Sequence, residues 1–181
     1  MFEEILKIRN NRNDDEIGPY ELAEGLTRYF LTPDINPRAH RFSPSVAEKL
    51  VAMFDRNNSL KLDLTEFRGA FAFMEKMKAG FKKRDADQSG VLEEAEIRAA
   101  VEESGYHLTV PCFQMLFKKF ANDRKDWNST GVNDGLRFDM YVSLSVLLAR
   151  VGQIYGYYDR NRSGLVTFNF DSFFAALLSA K

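Results

Sequence analysis

Apolar residues recur every three or four positions along two long stretches of the chain. In Leu64–Arg84 they are Phe67, Ala70, Phe71, Phe73, Met74, Met77 and Phe81, and Phe138–Tyr158 carries a similar stripe. This spacing follows the helical turn and predicts one long amphipathic helix over each stretch. Gly80 interrupts the first stripe and marks a place for a kink. Shorter apolar stretches run over Leu22–Phe30 and from Cys112 onward. A last one holds Leu165, Val166, Phe168, Phe170, Phe173, Phe174, Leu177 and Leu178. Short polar windows rich in Asp, Asn and Ser separate these stretches.

The sharpest window is Asp85–Glu96. Asp85, Asp87 and Ser89 stand at positions 1, 3 and 5, Gly90 at 6, Val91 at 7, Glu93 at 9 and Glu96 at 12. A calcium ion takes six to eight oxygens at about 2.3–2.6 Å. Alternate side chains of a tight loop supply them, together with the carbonyl of position 7. A glycine makes the turn, and a glutamate reaches back from the next helix. The window carries five carboxylates and no base. These residues make it an EF-hand calcium loop.

A second window, Asp55–Glu66, places Asp55, Asn57, Ser59, Asp63 and Glu66 at positions 1, 3, 5, 9 and 12, with Lys61 offering only its carbonyl. Leu60 occupies position 6, where a left-handed backbone favours glycine. Arg56 and Lys61 dilute the negative field, so this site is expected to be weaker. A third window opens well with Asp159, Asn161, Ser163 and Gly164 but ends on Phe170, one place before Asp171. It is expected to keep the loop shape without tight calcium binding. Fainter windows end at Glu21 and around Met140, which replaces the terminal acid of a fourth hand.

The apolar residues at position 8 fall at Ile17, Leu62, Leu92, Leu136 and Val166, at intervals of 45, 30, 44 and 30. This rhythm predicts five helix-loop-helix units in which neighbours share the two long helices. The expected fold is all-α: one elongated domain, with hands near 2–30, 45–76, 75–104, 110–149 and 148–179. Short β pairings through position 8 join hand one to two and hand three to four. The fifth, near residues 150–181, is left with an unpaired edge and an apolar face, a surface unstable in water alone.

Composition narrows the alternatives. The 181 residues carry a formal net charge of -1, which gives no field for nucleic acid. No apolar run reaches the length of a membrane span, and the acidic start is unlike a secretory signal. A cytoplasmic protein is expected. The single cysteine, Cys112, is expected as a core or half-buried thiol. With only His40 and His107 beside it in the sequence, it makes neither a protease nor a zinc site. The chain is therefore read as not an enzyme. The proline-rich Leu31–Pro44 is read as a plain connector. The insertion Asn122–Gly135, with Trp127, is read as a surface loop.

The phrases Met53–Asn58, Glu66–Gly69, Phe81–Gly90, Ser104–Leu108 and Tyr158–Gly164 resemble the penta-EF-hand family of sorcin, grancalcin and the calpain regulatory domains, with the protozoan grainins as a branch. The resemblance covers nearly the whole chain. It implies a shortened first loop in which Asn11 gives a carbonyl and Asp14, Glu16 and Glu21 follow as a weaker metal site. It implies fifth-hand pairing into a homodimer or heterodimer, and movement to membranes or granules with calcium. It also implies a sensor or adaptor that takes a partner protein or peptide in an apolar groove. A calcium buffer and a domain associated with a calpain-type protease stay open. The family's glycine- and proline-rich N-terminal tail does not precede the first hand, which leaves a shortened chain or a tail-less branch open.

Overall fold

A computed structural model of the chain describes residues 1–6, 15–33, 35, 41–121 and 135–179. Among them the helices are α1 (Phe2–Leu6), α2 (Pro19–Phe30), α3 (Pro44–Phe54), α4 (Leu64–Arg84), α5 (Glu94–Glu103), α6 (Val110–Ala121), α7 (Phe138–Tyr158) and α8 (Phe170–Ser179). The fold is all-α, as the apolar spacing predicts, and the two long stripes become α4 and α7. None of these helices is long and apolar enough to cross a membrane.

Local chemistry sets the helix starts. The Ser43 hydroxyl accepts from the Val46 amide, and Pro44 fills the first turn, where a missing N–H costs nothing. Asp63 and Glu66 cap α4 reciprocally: Asp63 Oδ1 accepts from the Thr65 and Glu66 amides, and Glu66 Oε2 accepts from the Asp63 amide. α4 runs unbroken through Gly80. A Cβ there would lie 3.2 Å from both Arg84 Nη1 and Tyr141 Oη, so the glycine leaves room for those two side chains.

Position-8 residues pair the loops. Ile17 and Leu62 exchange two main-chain hydrogen bonds of 2.8 Å, and Leu92 and Leu136 do the same. All four are fully buried. Gly135 is needed beside the second bridge, because a Cβ there would come within 2.9 Å of the Leu92 carbonyl oxygen. The two pairs share one core. Phe138 of α7 meets Phe42 edge-on at 5.9 Å and Phe81 of α4 at 5.4 Å. Lys49 of α3 donates to the buried Ser143 hydroxyl of α7 at 2.8 Å.

Two expectations are corrected. Leu31–Pro44 is more than a connector: Ile35 and Phe42 are both buried, and the Phe42 amide donates to Thr27 Oγ1 at 3.1 Å. Cys112 is exposed on α6, because Phe113, Phe117 and Phe120 form the inward stripe and Cys112 falls off it. Trp127 and His40 lie outside the described residues.

The fifth unit stands apart. No residue of α8 is buried, and Val166 takes part in neither bridge. Phe170 is 78% exposed, and Phe173, Phe174, Leu177 and Leu178 are each about half exposed.

Candidate metal centres

Three loops are built on one hydrogen-bond frame. In Asp85–Glu96 the carboxylate of position 1 turns inward: Asp85 Oδ2 accepts from the Gly90 amide at 3.1 Å, and Oδ1 accepts from the Ser89 hydroxyl at 3.2 Å. Ser89 Oγ also donates to the Val91 carbonyl at 2.9 Å, and the Ser89 amide donates to Asp87 Oδ1 at 3.0 Å. Oxygens of Asp85, Ser89 and Val91 thus meet within hydrogen-bonding distance, with Asp87 on the rim. Gly90, at φ 75°, makes the turn. Glu96 Oε2 accepts from the Glu93 amide at the start of α5, so the position-12 carboxylate closes the loop from the far side.

Electrostatics distinguishes the first two acids. Burial pushes the Asp85 carboxyl above the ordinary carboxylate value, against the bonds from Gly90 and Ser89. Asp87 is exposed, and the Ser89 amide holds its pKa below that value. A cation held among these oxygens would favour the ionised Asp85 carboxylate that burial disfavours. The donor set mixes carboxylate, hydroxyl and main-chain oxygen, which is hard-cation chemistry. Among the described residues no three carboxylate, imidazole or thiol groups converge as a ready-made chelate, so the hydroxyl and carbonyl donors are essential to the fit.

Asp55–Glu66 repeats the frame. Asp55 Oδ2 accepts from the Leu60 amide at 2.8 Å, and Asp55 Oδ1 and Asn57 Oδ1 accept from the Ser59 amide at 3.1 and 2.8 Å. Ser59 Oγ lies 3.4 Å from the Lys61 carbonyl. Leu60 takes φ 62° despite its Cβ. Glu66 is buried, with Oε1 on the Arg56 amide at 2.7 Å and Oε2 on the Asp63 amide, so its carboxylate spans the loop.

Asp159–Phe170 keeps the first half only. Asp159 Oδ2 accepts from the Gly164 amide at 3.0 Å, and Ser163 Oγ reaches the Leu165 carbonyl at 3.0 Å. The helix then starts two residues later than in the other two loops. Asn169 caps it through the Ser172 amide, and Phe170 faces solvent where a ligating acid is needed. These residues do not fit a tightly held ion.

In the first hand, Glu21 is buried on α2, and a Cβ on Gly18 would meet its Oε2 at 2.7 Å. Glu16 is half-buried, while Asn11 and Asp14 lie outside the described residues. In the fourth hand Arg137 pairs with the buried Asp139 at 3.2 Å, and Met140 sits at position 12.

Spacing alone missed two polar contacts made by the third hand outside its loop. Arg84 precedes the first ligand position, and its Nη2 meets Glu103 Oε2 at 2.5 Å. Tyr106, in the link after α5, donates its hydroxyl to the Leu148 carbonyl at 2.8 Å.

No protein-family profile matches the chain. A solved structure of a homologue of programmed cell death 6 protein from Leishmania major is 32% identical. It covers all of this chain and 94% of its own, with a TM-score of 0.74. Human calpain small subunit 2 is 26% identical over 153 residues, which are 84% of this chain and 58% of that protein. A probable calcium-binding protein of Arabidopsis thaliana is 25% identical over 138 residues, which are 76% of this chain and 37% of that protein. The chain thus spans about three fifths of the length of that calpain subunit and just over a third of that of the Arabidopsis protein.

Proposed function

The chain belongs to the penta-EF-hand family, and from that premise we propose that it is a calcium-dependent adaptor or regulatory subunit. Calcium would be held by Asp85, Asp87, Ser89, the Val91 carbonyl, Glu96 and, through water, Glu93. A second, weaker site would use Asp55, Asn57, Ser59, the Lys61 carbonyl, Asp63 and Glu66. The observation that carries this reading is the position-12 carboxylate added to the shared frame: Glu96 and Glu66 each accept from the position-9 amide, of Glu93 and of Asp63, and so close their loops, which Phe170 does not do in the fifth. The uncovered apolar face of the fifth hand supports a dimer of like or related chains. Changes in helix position between calcium states would open a groove for a partner segment. Likeness to a calpain small subunit favours, as a second reading, association with a calpain-type protease.

Calorimetric titration of calcium tests the sites. Glu96→Gln is expected to remove the tightest step of the isotherm and Glu66→Gln a weaker one. If neither changes the isotherm, the assignment is wrong. A hydrophobic dye whose fluorescence is the same with and without calcium would point instead to a buffer.

A further inference from the structure

The residues that open α7 alternate between two roles. Leu136 and Phe138 are buried in the core: Leu136 exchanges two main-chain bonds of 2.8 Å with Leu92, and Phe138 packs against Phe42 and Phe81. Arg137 and Asp139 flank Phe138 and meet each other. Arg137 Nε donates to Asp139 Oδ1 at 3.2 Å and Nη2 donates to Oδ2 at 3.3 Å. The Asp139 side chain is 3% exposed and that of Arg137 14%, so the ion pair is largely out of water. Two bonds in one plane fix its geometry as well as its charge. Arg137 is also the N-cap of α7, an end where the helix dipole opposes a positive charge, and Asp139 in the first turn answers it.

The place of this pair in the hand gives it meaning. Arg137 and Asp139 stand at positions 9 and 11 of the fourth hand. Hands two and three tie the same corner with a glutamate at position 12, which accepts from the position-9 amide. Met140 offers no carboxylate there. The corner is tied instead by a cation that belongs to the chain. It bears on the third loop directly. A Cβ on Gly135 would come within 2.9 Å of the Leu92 carbonyl oxygen and 3.1 Å of the Val91 Cβ. The chain of the fourth hand therefore lies against Val91, whose own carbonyl is a donor of the Asp85–Glu96 site.

We propose that Arg137 is the resident cation of the fourth hand: paired with Asp139, it fixes the entry to α7 without a metal and so holds the edge on which the Val91 carbonyl is set. Arg137 acts through Leu136 and its bridge to Leu92, and is therefore a positioning residue for the third-hand site. The inference rests on the calcium reading of Asp85–Glu96 and places one cause of its affinity outside the loop.

The full chain tests it, by thermal unfolding and calcium calorimetry of Arg137→Met, Arg137→Lys and the double variant Arg137→Met with Asp139→Leu. Each is made on a Glu66→Gln background to read the third loop alone and on a Glu96→Gln background to read the second. Arg137→Met is decisive because two causes predict opposite signs. Removing a positive charge raises the general attraction for calcium, whereas removing the brace weakens the third loop. Affinity at Asp85–Glu96 is expected to fall about fivefold and that at Asp55–Glu66 to stay. With calcium absent, the unfolding midpoint falls by about 10 °C, because Asp139 is left buried without its partner. The double variant, with no buried charge, recovers the midpoint and most of the affinity. Arg137→Lys keeps the charge but loses the fork, and it keeps the fold while losing part of the affinity. Unchanged or tighter calcium at Asp85–Glu96 in Arg137→Met overturns the proposal, as does an equal loss at both loops. If Glu96→Gln leaves the parent isotherm unchanged, the calcium reading itself fails, while the midpoints still judge the ion pair.

Discussion

The amide of Leu60 donates to Asp55 Oδ2 at 2.8 Å from a left-handed backbone, φ 62°, and the Leu60 side chain is 76% exposed. Gly90 and Gly164 hold the equivalent place in their loops at φ 75°. A residue with a Cβ costs about 1–2 kcal/mol there, and nothing that Leu60 buries offsets it. Leu60→Gly is expected to stabilise the protein by about 0.5–1 kcal/mol, after the greater entropy of glycine in the unfolded chain is subtracted. It should also tighten calcium at Asp55–Glu66. Thermal unfolding and calorimetry check both, and a lower midpoint refutes the strain argument.

Acid should release calcium from Asp85–Glu96 earlier than an ordinary aspartate would dictate. Burial raises the Asp85 pKa, so its ionised form opposes the calcium-free fold. That fold gains stability as pH falls through the raised value, while the ligating carboxylate is lost over the same window. Asp87, shifted the other way, keeps its charge to lower pH. Calorimetry at successively lower pH should show affinity at this loop declining above the ordinary aspartate range. A flat profile would contradict the role of Asp85.

Gly152 of α7 admits Tyr106. A Cβ at Gly152 would lie 2.5 Å from the Tyr106 hydroxyl oxygen, which donates to Leu148 on the same helix. Gly152→Ala is expected to cost about 2 kcal/mol by overpacking. Adding Tyr106→Phe should recover part of that loss by removing the clashing oxygen. A double variant no better than Gly152→Ala would show that the contact is not limiting.

Phe42→Ala should cost about 3–4 kcal/mol and lower the unfolding midpoint by about 10 °C. Its ring is buried against Phe138 although it sits in a segment without helical pattern. A loss below about 1 kcal/mol, the size of a surface effect, would mean that the segment does not anchor the core.

The fifth hand supplies a test of assembly. Phe173→Ser with Leu177→Ser should give a monomer by sedimentation while leaving the calcium isotherm of the third hand intact. These side chains are 49% and 52% exposed and take no part in the core. Unchanged association would move the interface elsewhere.

Legibility followed locality. Helical stripes and position-8 residues are periodic, so α4, α7 and the Ile17–Leu62 and Leu92–Leu136 pairings could be read from spacing. Donor spacing in Asp85–Glu96 is equally local, since twelve consecutive residues carry it. Ile35 and Phe42 were hidden because prolines break any period around them. Cys112 was misplaced because an amphipathic stretch gives the stripe but leaves its edge uncertain by one residue. The Arg84–Glu103 contact joins the ends of two helices, and nothing in either residue's neighbourhood announces it.

One helix carries Glu66 in its first turn and hands directly to Asp85 at its end. α4 is about 30 Å long, so the loops Asp55–Glu66 and Asp85–Glu96 sit at opposite ends of a single helix. A tilt of 10° about one end would sweep the other by about 5 Å by the same geometry. A change of direction at one end of α4 would therefore displace the loop at the other, and on the calcium reading the two sites are expected to fill as a coupled pair.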